Sequence, residues 1–478
     1  METLQRTANR GSVSTGYDID NSCKFEDAND EYLTRTNASG TNRRTFTASM
    51  WVKRTKLGGT QEIWDGGVHS EGTRIGFGLS SDELWLDIGY SANYRSSTTQ
   101  QFRDTAAWYH IVWKVDTTQG TEADRFRVYV NGAEITVWAS RQYPPQNFDT
   151  SVTSGTVARI GSYDATYHGF CGYIAEVNYL DGLAVAPTEF GEFDDDSGIW
   201  KPKEYTGSYP GQSCYLDFKD GADLGANAEG DDVNWTLNNI AAADQATDTP
   251  TNNFAIANTL ISVGGYFVTT EGATKGLLST ADPPGNNIGG VSLVSTLLAS
   301  GGKWYFEAQN TNSGDVYLYL GAGDVGDFAN WGIDGERFGD AGVSLAWRGG
   351  GAQDGKVYIN NSATGTGVTW ETEVVGMALD LDNGVAYFHK AGTWINSGDP
   401  AAGTDNGGQY DLPTGGDGQW CMGVSGYNLA TWLINFGGYT TMSISSAAAD
   451  ANGYGTFEYA PPSGYYALCT KNLAEFGG

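Results

Sequence analysis

The chain has 478 residues, of which 67 are glycine, 12 are proline and 13% are aromatic. This length predicts two or three domains, and many short aromatic-rich segments separated by Gly, Asn and Asp favour β-sandwiches or barrels. The formal net charge of −30 argues against a nucleic-acid partner and against an anionic membrane surface, because both are bound through clustered Lys and Arg.

Cysteine usage and the first residues bear on the cellular compartment. The cysteines lie far apart, without a C-x-x-C pair, at Cys23, Cys171, Cys214, Cys421 and Cys469. This spacing argues against a zinc site and a dense disulfide framework, and their odd number indicates maturation in a reducing compartment. Residues 1–16 lack the apolar core of a secretory signal, and no stretch approaches the roughly 18 apolar residues of a membrane span.

Alternating apolar residues predict strands in the first half. In Thr45–Lys53 every second residue is apolar, and Trp51 is the one exception on the polar face. This period of two predicts a strand with one buried side. Tyr109–Asp116 repeats the pattern. Asn131–Gly132 lies between two alternating runs and predicts a hairpin, because both residues tolerate positive φ.

A change of composition separates the two halves of the chain. Residues 219–259 are poor in large apolar groups and predict a polar connecting segment, so we place a domain boundary near residue 250, between domains 1–250 and 251–478. Cys214–Phe218 is predicted to add a strand to the first domain, and the one helix candidate is Ser443–Asn452. The predicted strands of the second half are Gly302–Ala308, Val316–Leu320, Gly342–Trp347, Lys356–Asn360, Val374–Asp380 and Val385–Phe388.

The first half resembles laminin-G-like members of the concanavalin A superfamily. The residues that carry this resemblance are Trp108–Ile111, Val128–Gly132 and Phe170–Val177, in the family's order, and the likeness covers residues from about 20 to 220. It implies a concanavalin A-like lectin domain. It also leaves calcium open as a cofactor in a loop of this domain, with Asp164 as the candidate ligand.

Further segments resemble structural proteins of tailed bacteriophages, which often carry this lectin-like module. They are Tyr179–Leu183, Phe193–Pro202 and Asp248–Asn252, and the opening Lys24–Arg35 with Met50–Arg54 is similar to the same group. The resemblance implies a virion protein that is assembled in the host cytoplasm and released by lysis. That origin would reconcile a lectin-like body with the missing export signal.

The second half is similar to the SPRY domain, another two-sheet sandwich. The matching segments are Gly302–Glu307, Asp380–Gly384, Gly392–Trp394 and Tyr459–Leu468. This resemblance implies a partner-binding scaffold with recognition in the loops, and no catalysis. The predicted fold class is therefore all-β, with two concanavalin A-like (jelly-roll) antiparallel β-sandwiches in tandem.

Patterns for catalysis and for metal binding are weak. Superfamily glycosidases carry E-x-D-x-x-E along one strand, and no predicted strand shows that spacing; retaining chemistry needs two carboxyl groups about 5 Å apart. Asp380-x-Asp382-x-Gly384 fits a hairpin turn better than a calcium loop, because the fifth and twelfth loop positions hold Gly384 and Ala391 rather than oxygen ligands. The four histidines have no obvious Ser or Cys partner, and His110 is predicted to be a surface or packing residue. We therefore expect no enzyme activity.

Two loop clusters combine aromatic rings with amides and acids. The predicted ligand-binding residues are Asp327, Asn330 and Trp331 in one cluster and Tyr90, Asn93 and Tyr94 in the other. Aromatic faces stack on the apolar faces of sugars, while Asp and Asn bind hydroxyl groups. The alternative is that these rings pack beneath their own loops or contact a neighbouring subunit.

The predicted function is that of a non-enzymatic bacteriophage virion surface protein, in a tail fibre or another appendage, which recognises host-surface glycan. One alternative is a capsid or tail decoration protein, and a second is a polysaccharide depolymerase. The expected partners are other virion proteins and a host-surface glycan or receptor, without nucleic acid or membrane insertion. Homo-oligomerisation is expected by analogy with other appendages.

Overall fold

The computed structural model describes residues 16–38, 42–67, 72–78, 81–89, 94–164, 168–261, 267–278, 291–313, 317–331, 337–350, 354–427 and 430–477. The chain divides into two compact units, the first ending at Asn252 and the second beginning at Asn253. None of the helices within these ranges has the length and apolar character needed to cross a membrane.

The first unit is built almost entirely of strands. They are β1 (Ser22–Phe25), β2 (Tyr32–Thr36), β3 (Thr45–Arg54), β4 (Gln61–Asp65), β5 (Thr73–Phe77), β6 (Glu83–Ile88), β7 (Arg95–Gln101), β8 (Trp108–Asp116), β9 (Phe126–Val130), β10 (Ala133–Glu134), β11 (Trp138–Ser140), β12 (Val157–Ile160), β13 (Gly172–Asp181), β14 (Gly191–Phe193), β15 (Trp200–Pro202), β16 (Cys214–Leu216), β17 (Glu229–Gly230), β18 (Thr236–Asn238) and β19 (Gln245–Ala246). Short 3-10 helices span Asp27–Asn29, Glu122–Asp124, Pro187–Glu189 and Ala242–Asp244.

Two antiparallel sheets form the body of this unit. Among the described residues, one sheet has nine strands, with the order β10-β9-β8-β3-β13-β1-β19, β16 beside β13 and β17 beside β16; the other has eight, in the order β11-β7-β6-β5-β4-β12-β2-β18. The Phe46 ring of the nine-stranded sheet lies 5.9 Å from the Trp64 ring of the eight-stranded sheet and 5.4 Å from Trp113. The apolar faces thus meet in one core, as in a β-sandwich.

The first and last strands of the unit are neighbours. Strand β1 pairs with β13 on one side and with β19 on the other, where Ser22 lies opposite Ala246. Just outside this pair, the Ile19 amide donates to Thr251 Oγ1 at 3.1 Å, and the same hydroxyl donates to the Ile19 carbonyl at 2.9 Å. The two ends of the unit therefore meet at one point of the nine-stranded sheet.

The strand predicted over Thr45–Lys53 is confirmed as β3, but it is buried on both faces. Ser49 and Lys53, on the side away from the core, are 1% and 0% exposed, whereas the sequence predicted one buried side. The Asn131–Gly132 hairpin is also confirmed: it joins β9 to β10, with φ values of 49° and 75°.

The second unit is also built of strands. They are β20 (Phe267–Thr270), β21 (Lys275–Leu278), β22 (Val291–Val294), β23 (Lys303–Asn310), β24 (Tyr317–Asp324), β25 (Ser344–Gly349), β26 (Val357–Ile359), β27 (Ser362–Thr364), β28 (Val374–Asp380), β29 (Val385–Lys390), β30 (Thr393–Trp394), β31 (Tyr410–Asp411), β32 (Trp420–Tyr427), β33 (Thr431–Asn435) and β34 (Tyr466–Ala467). The helices are α1 (Phe328–Trp331), α2 (Thr470–Phe476) and the 3-10 turns Thr259–Ile261, Val325–Asp327 and Ile395–Ser397.

These strands also form two sheets. In the described ranges, a nine-stranded sheet has the order β20-β21-β33-β23-β28-β29-β30, with β31 beside β29 and β34 parallel to β23; a six-stranded sheet has the order β22-β32-β24-β25-β26-β27. The Trp347 ring of the smaller sheet lies 6.0 Å from the Phe388 ring of the larger. Apolar side chains of both sheets again share one cluster. The all-β, antiparallel fold class predicted from the sequence is confirmed.

Two segments differ from their predicted roles. The helix candidate Ser443–Asn452 is wrong: within it, Ala448 exchanges both backbone hydrogen bonds with Phe457, each 2.9 Å long, so the segment is extended at that point. The polar stretch 219–259 contributes strands to the first unit, where β17 pairs with β16, β18 with β2 and β19 with β1. Strand pairing there depends on backbone bonds, which a polar sequence also supplies.

One strand prediction and one turn prediction are confirmed, at Cys214–Phe218 and at Asp380–Gly384. Cys214–Leu216 forms β16 and pairs with β13. Asp380 begins the hairpin turn between β28 and β29, where its Oδ1 atom accepts from the Asn383 amide at 3.0 Å and Gly384 has a φ of 68°. The turn thus uses the Asp380 carboxylate to brace its own backbone.

Candidate functional site

Residues 183–209, here called the strap, cover the outer face of the nine-stranded sheet in the first unit. Phe190 of the strap packs with Val112 and Leu180 of the sheet. Tyr205 stacks on Phe190 with ring centroids 5.0 Å apart. The strap thus buries the outer face of the central strands around Val112 and Leu180, whereas Lys53 is buried beside Asp248.

His110 of β8 anchors the strap to the sheet. Trp200 Nε1 donates to His110 Nδ1 at 2.9 Å, and His110 Nε2 lies 2.8 Å from Ser49 Oγ. Burial lowers the pKa of His110 to about 3, so the ring is neutral. Because Nδ1 accepts from Trp200, the ring proton lies on Nε2 and is donated to Ser49. A nucleophilic serine needs the opposite polarity, so this pair is structural.

The serine partner of His110 was missed in the sequence. Ser49 is on β3 and His110 is on the neighbouring strand β8, where its register partner is Trp51. The Trp51 ring stacks on His110 with centroids 4.7 Å apart. The outward-facing Trp51 that broke the alternation is therefore part of the anchor, and the packing role predicted for His110 agrees with this environment.

Two glycines make room for the Trp200 ring. A Cβ atom on Gly132 would lie 2.2 Å from Trp200 Cε3, and one on Gly191 would lie 2.4 Å from Cζ2. Gly132 also occupies the β9–β10 turn with a φ of 75°. Gly132 therefore meets two requirements, the positive φ of the turn and the close approach of the Trp200 ring. A side chain at this position would disturb both.

A cleft of about 240 Å³ opens where the strap ends. Its floor is buried and polar, its walls are half-buried tyrosine rings, and its rim carries exposed acids. The lining residues are Tyr17, Glu176, Asn178, Glu204, Tyr205, Thr206, Gly207, Tyr209, Tyr215 and Glu229. We call this site the tyrosine cleft.

A β-bulge positions Glu176 at the floor of the tyrosine cleft. The register of β13 against β3 shifts between Ala175 and Asn178, and Glu176 has a φ of 54°. A non-glycine residue held in this left-handed region costs about 1–3 kcal/mol and is often found at functional sites. The Tyr215 hydroxyl donates to Glu176 Oε1 at 2.8 Å, and the Tyr17 hydroxyl donates to Oε2 at 3.0 Å. The bulge thus turns the carboxylate toward the tyrosines.

The tyrosine rings stand at fixed angles to one another. The Tyr209 hydroxyl donates to Asn178 Oδ1 at 2.5 Å. Its ring lies 5.2 Å from Tyr205 at an interplanar angle of 86°, and 6.2 Å from Tyr215 at 28°. A ligand in the cleft would therefore meet ring faces in two nearly perpendicular directions.

Burial raises the pKa of Glu176 to about 7. We therefore expect the stability of the first unit to depend on pH. The folded-state pKa exceeds the ordinary value of 4.5, so the stabilisation is complete below pH 4.5 and is lost as the pH rises through 7. Glu176 should then lower the free energy of unfolding by up to about 3 kcal/mol between these limits.

Denaturant unfolding at pH 5 and pH 8 measures this effect. The Glu176→Gln variant stays neutral at both pH values, so its free energy of unfolding should depend less on pH than that of the wild type. Some pH dependence should remain in the variant, because burial also raises the pKa of Glu31 to about 7. Glu204→Gln on the exposed rim is the matched control and should leave the dependence unchanged. An equal pH dependence in the wild type and Glu176→Gln would contradict the prediction.

A second cavity of about 560 Å³ lies over β8 and β9. Its lining residues are Lys114, Asp116, Gln119, Asp124, Arg127, Tyr129 and Ala184. Arg127 pairs with Asp124 at 2.6 Å and with Glu134 at 2.7 Å. Its guanidinium is thus already engaged, and the tyrosine cleft offers a more convergent set of groups.

The outer face of the eight-stranded sheet carries buried charge. Arg74 lies 3.3 Å from Glu62 Oε1 and 3.1 Å from Asp87 Oδ2, and Arg95 donates to both oxygens of Asp87 at 2.8 Å. Glu62 and Asp87 are both 0% exposed. Burial raises the pKa of Glu62 well above its ordinary value. Asp87 is thus hydrogen-bonded to two arginines, whereas, among the described residues, Glu62 has only the 3.3 Å contact of one oxygen with Arg74.

A second β-bulge brings two acids to this face. The register of β4 shifts between Glu62 and Trp64, so that Ile63 and Trp64 both lie in the core. Glu62 and Asp65 then both face away from the core. A strictly alternating pattern does not predict this pair, because the bulge breaks the period of two and brings residues three apart to one face.

The described ones among the predicted ligand-binding residues, Asp327, Asn330 and Tyr94, are not among the residues that line the tyrosine cleft. Asp327 Oδ2 accepts from the Val343 amide at 2.6 Å and Oδ1 accepts from Asn330 Nδ2 at 2.5 Å, so these two brace their own loop. The side chain of Trp331 lies outside what the structure describes, as do Tyr90 and Asn93.

Tyr94 packs edge-on against Phe148, with ring centroids 5.4 Å apart, which matches the alternative that the ring packs beneath its loop. Its role in ligand binding stays a prediction.

Metal binding also stays a prediction. Across the described residues, no group of three or more His, Cys, Asp or Glu side chains is arranged to hold a metal ion. The Asp164 carbonyl accepts from Ser162 Oγ, a contact that braces the loop backbone. All five cysteines are buried thiols.

Residues 27–186 match the model of the concanavalin A-like lectin/glucanases superfamily. The match covers most of the first unit and ends where the strap begins. A comparison with the curated proteins finds no match. The first unit therefore contains a concanavalin A-like domain, and most of the strap lies beyond the family model.

Several solved structures show similarity at low identity. A putative carbohydrate-binding protein from Bacteroides ovatus is 17% identical, with a TM-score of 0.33 over 47% of this chain and 60% of that chain. The TRIM65 PSpry domain is 15% identical, with a TM-score of 0.25 over 38% of this chain and 92% of that one. Domain 4 of the extracellular arabinanase AbnA from Geobacillus stearothermophilus, in complex with arabinotriose, is 22% identical, with a TM-score of 0.23 over 31% and 65%. At these TM-scores the likenesses carry no argument about function; what is identified is a concanavalin A-like domain over residues 27–186.

Proposed function

We propose that this chain is a non-enzymatic glycan-recognition protein on the surface of a bacteriophage particle, and that the tyrosine cleft binds the saccharide. The observation that carries the proposal is the cleft itself: four tyrosine rings stand around Glu176 and Asn178. Sugars need an apolar ring face for stacking and a few fixed acceptors for their hydroxyl groups. The cleft supplies both.

The acceptors of the cleft are oriented before a ligand arrives. Glu176 is held by the hydroxyl groups of Tyr17 and Tyr215, and Asn178 by that of Tyr209. A saccharide hydroxyl could replace a tyrosine hydroxyl at either carboxylate oxygen without exposing an unpaired charge. Such preorganisation reduces the entropy cost of binding.

Truncation of a cleft tyrosine tests the proposal. Tyr205→Ala should weaken binding of a retained glycan by about tenfold or more, equivalent to about 1.4 kcal/mol, because a stacking face is lost. Binding is measured on an array of host-surface saccharides and then by calorimetry. Tyr143→Ala is the matched control, since Tyr143 is also half-buried in the first unit but packs against Phe126. If Tyr205→Ala and Tyr143→Ala bound the glycan equally well, the tyrosine cleft would not be the saccharide site.

The virion location rests on the resemblance of Phe193–Pro202 and Asp248–Asn252 to tailed-phage structural proteins, and on the acidic composition. In this proposal the protein is assembled in the host cytoplasm, contacts other virion proteins and forms homo-oligomers. Antibody labelling of intact particles would place it on the head, the tail or a fibre. Absence of label from every part of the particle would contradict the location.

One observation favours the alternative of a decoration protein. In the second unit, Val268 and Leu277 are cross-strand partners in the β20–β21 pair and are 48% and 44% exposed. Among the described residues, β20 is the last strand on its side of the sheet. An exposed apolar pair near a sheet edge suits contact with another virion protein. Val268→Lys should then release the protein from particles without reducing glycan binding.

The depolymerase alternative would use the acids of the eight-stranded sheet. Glu62 is a buried carboxyl on the same face as Asp65, and Arg74 lies within ion-pair distance of it. We propose no catalysis, because Arg74 contacts both Glu62 and Asp87, and Asp87 is also bound to Arg95, so that these groups serve the fold. Incubation of host capsule or lipopolysaccharide with the protein should give no rise in reducing ends; a rise that Glu62→Gln abolishes would establish the enzyme instead.

A further inference from the structure

We propose that the saccharide of the tyrosine cleft carries a positive charge, as an amino sugar with an unacetylated amine does. This inference rests on the proposed saccharide function and specifies its ligand. Three of the ten lining residues are carboxylic acids, Glu176, Glu204 and Glu229, and none of the ten is Lys or Arg. The exposed acids Glu204 and Glu229 thus make the cleft negative as well as aromatic.

The charges are distributed over the depth of the cleft. Glu176 is 8% exposed and lies at the floor, whereas Glu204 and Glu229 are exposed at the rim. A ligand cation could approach through the field of the rim acids and then meet a buried carboxylate. Such a field raises the encounter rate of a cation and disfavours anionic sugars.

The rings strengthen the preference for a cation. Tyr205 and Tyr209 are nearly perpendicular, at 86°, and Tyr215 is at 28° to Tyr209. A cation within about 6 Å of such ring faces is attracted by their quadrupoles, by about 0.5–2 kcal/mol. Ring faces together with carboxylates are the arrangement that binds substituted ammonium groups.

Nearby lysines do not cancel this charge. Lys201 pairs with Asp194 at 3.2 Å, Lys203 donates to the Thr188 carbonyl at 3.2 Å, and Lys219 lies 3.8 Å from Asp217. Asp194 therefore offsets the charge of Lys201, and none of the three lysines is among the residues that line the cleft. Lys219, whose charge acts on Glu176, is offset by its own acidic neighbour.

Three trisaccharides of one backbone test the inference with the full chain. They are β-1,4-linked glucosamine, its N-acetylated form and its N-trimethylated form, which keeps its charge at every pH. The two charged sugars should bind at least about tenfold more tightly than the acetylated sugar, by calorimetry at pH 7 and low salt. Glu204→Gln with Glu229→Gln should remove most of that difference.

The outcomes separate this inference from the proposed function. Equal or tighter binding of the acetylated sugar, sensitive to Tyr205→Ala, would overturn the charge preference and keep the saccharide site. Binding of none of the three would overturn the inference. The proposed function would be overturned as well if no saccharide on the array, neutral or charged, bound more weakly to Tyr205→Ala than to the wild type. A circular dichroism spectrum equal to that of the wild type confirms that the double variant is folded.

Discussion

Replacing Asp248 with Ala is expected to lower the free energy of unfolding of the first unit by about 3–5 kcal/mol, because it leaves a buried charge without its partner. Lys53 Nζ lies 2.6 Å from Asp248 Oδ2, and the two side chains are 0% and 1% exposed. Trp108 Nε1 donates to the other carboxylate oxygen at 3.1 Å. Burial lowers the pKa of Lys53, so the variant would also favour its neutral form.

Removal of both charges is the informative control. Lys53→Met together with Asp248→Leu should recover most of the lost stability, since apolar replacement of a whole buried ion pair is often neutral. Denaturant unfolding followed by tryptophan fluorescence measures both variants. A loss below about 1 kcal/mol for Asp248→Ala would show that the pair is solvated in solution, contrary to the structure.

Trp200→Ala is expected to detach the strap and to cost about 3–5 kcal/mol, the usual range for a buried tryptophan. The variant removes the donor to His110 Nδ1 and the ring that fills the space above Gly132 and Gly191. Limited proteolysis with mass mapping should show new cleavage within residues 183–209. Because the strap ends at the tyrosine cleft, saccharide binding should fall as well.

Phe193 provides the matched control for Trp200. Its ring lies 4.9 Å from Trp200 but is 53% exposed, so Phe193→Ala should cost much less stability and leave the strap closed to protease. Unchanged proteolysis of Trp200→Ala would mean that other contacts of the strap, such as those of Phe190, suffice to hold it.

The body of the fold could be predicted because alternation and turn chemistry are local. Thr45–Lys53 and Asn131–Gly132 carry their signals within a few residues, and both predictions are confirmed. The burial of the outer face could not be predicted in this way. It depends on the strap, which is polar and turn-rich in sequence and covers the sheet through contacts distant in sequence, such as Trp200 with His110 and Phe190 with Val112.

The tyrosine cleft was missed for a related reason. Its groups come from positions as distant as Tyr17, Glu176 and Glu229, and the bulge at Glu176 reverses which side of β13 the acid faces. The closest signal was the spacing of Tyr205, Tyr209 and Tyr215 within one polar segment. The predicted clusters, in contrast, consist of residues that are close together in the sequence, and in one of them Asp327 and Asn330 bond to each other.

The neighbouring first and last strands of the first unit have a mechanical consequence. Strands β1 and β19 are antiparallel, and the chain enters and leaves this pair on the same side, next to the contact between Ile19 and Thr251. Tension applied at the two ends of the unit would separate β1 from β19 by breaking their hydrogen bonds one after another. Two strands that are pulled in opposite directions along their length must instead lose all their hydrogen bonds together. This unit should therefore yield to pulling at low force, even though its equilibrium stability is supported by a large core.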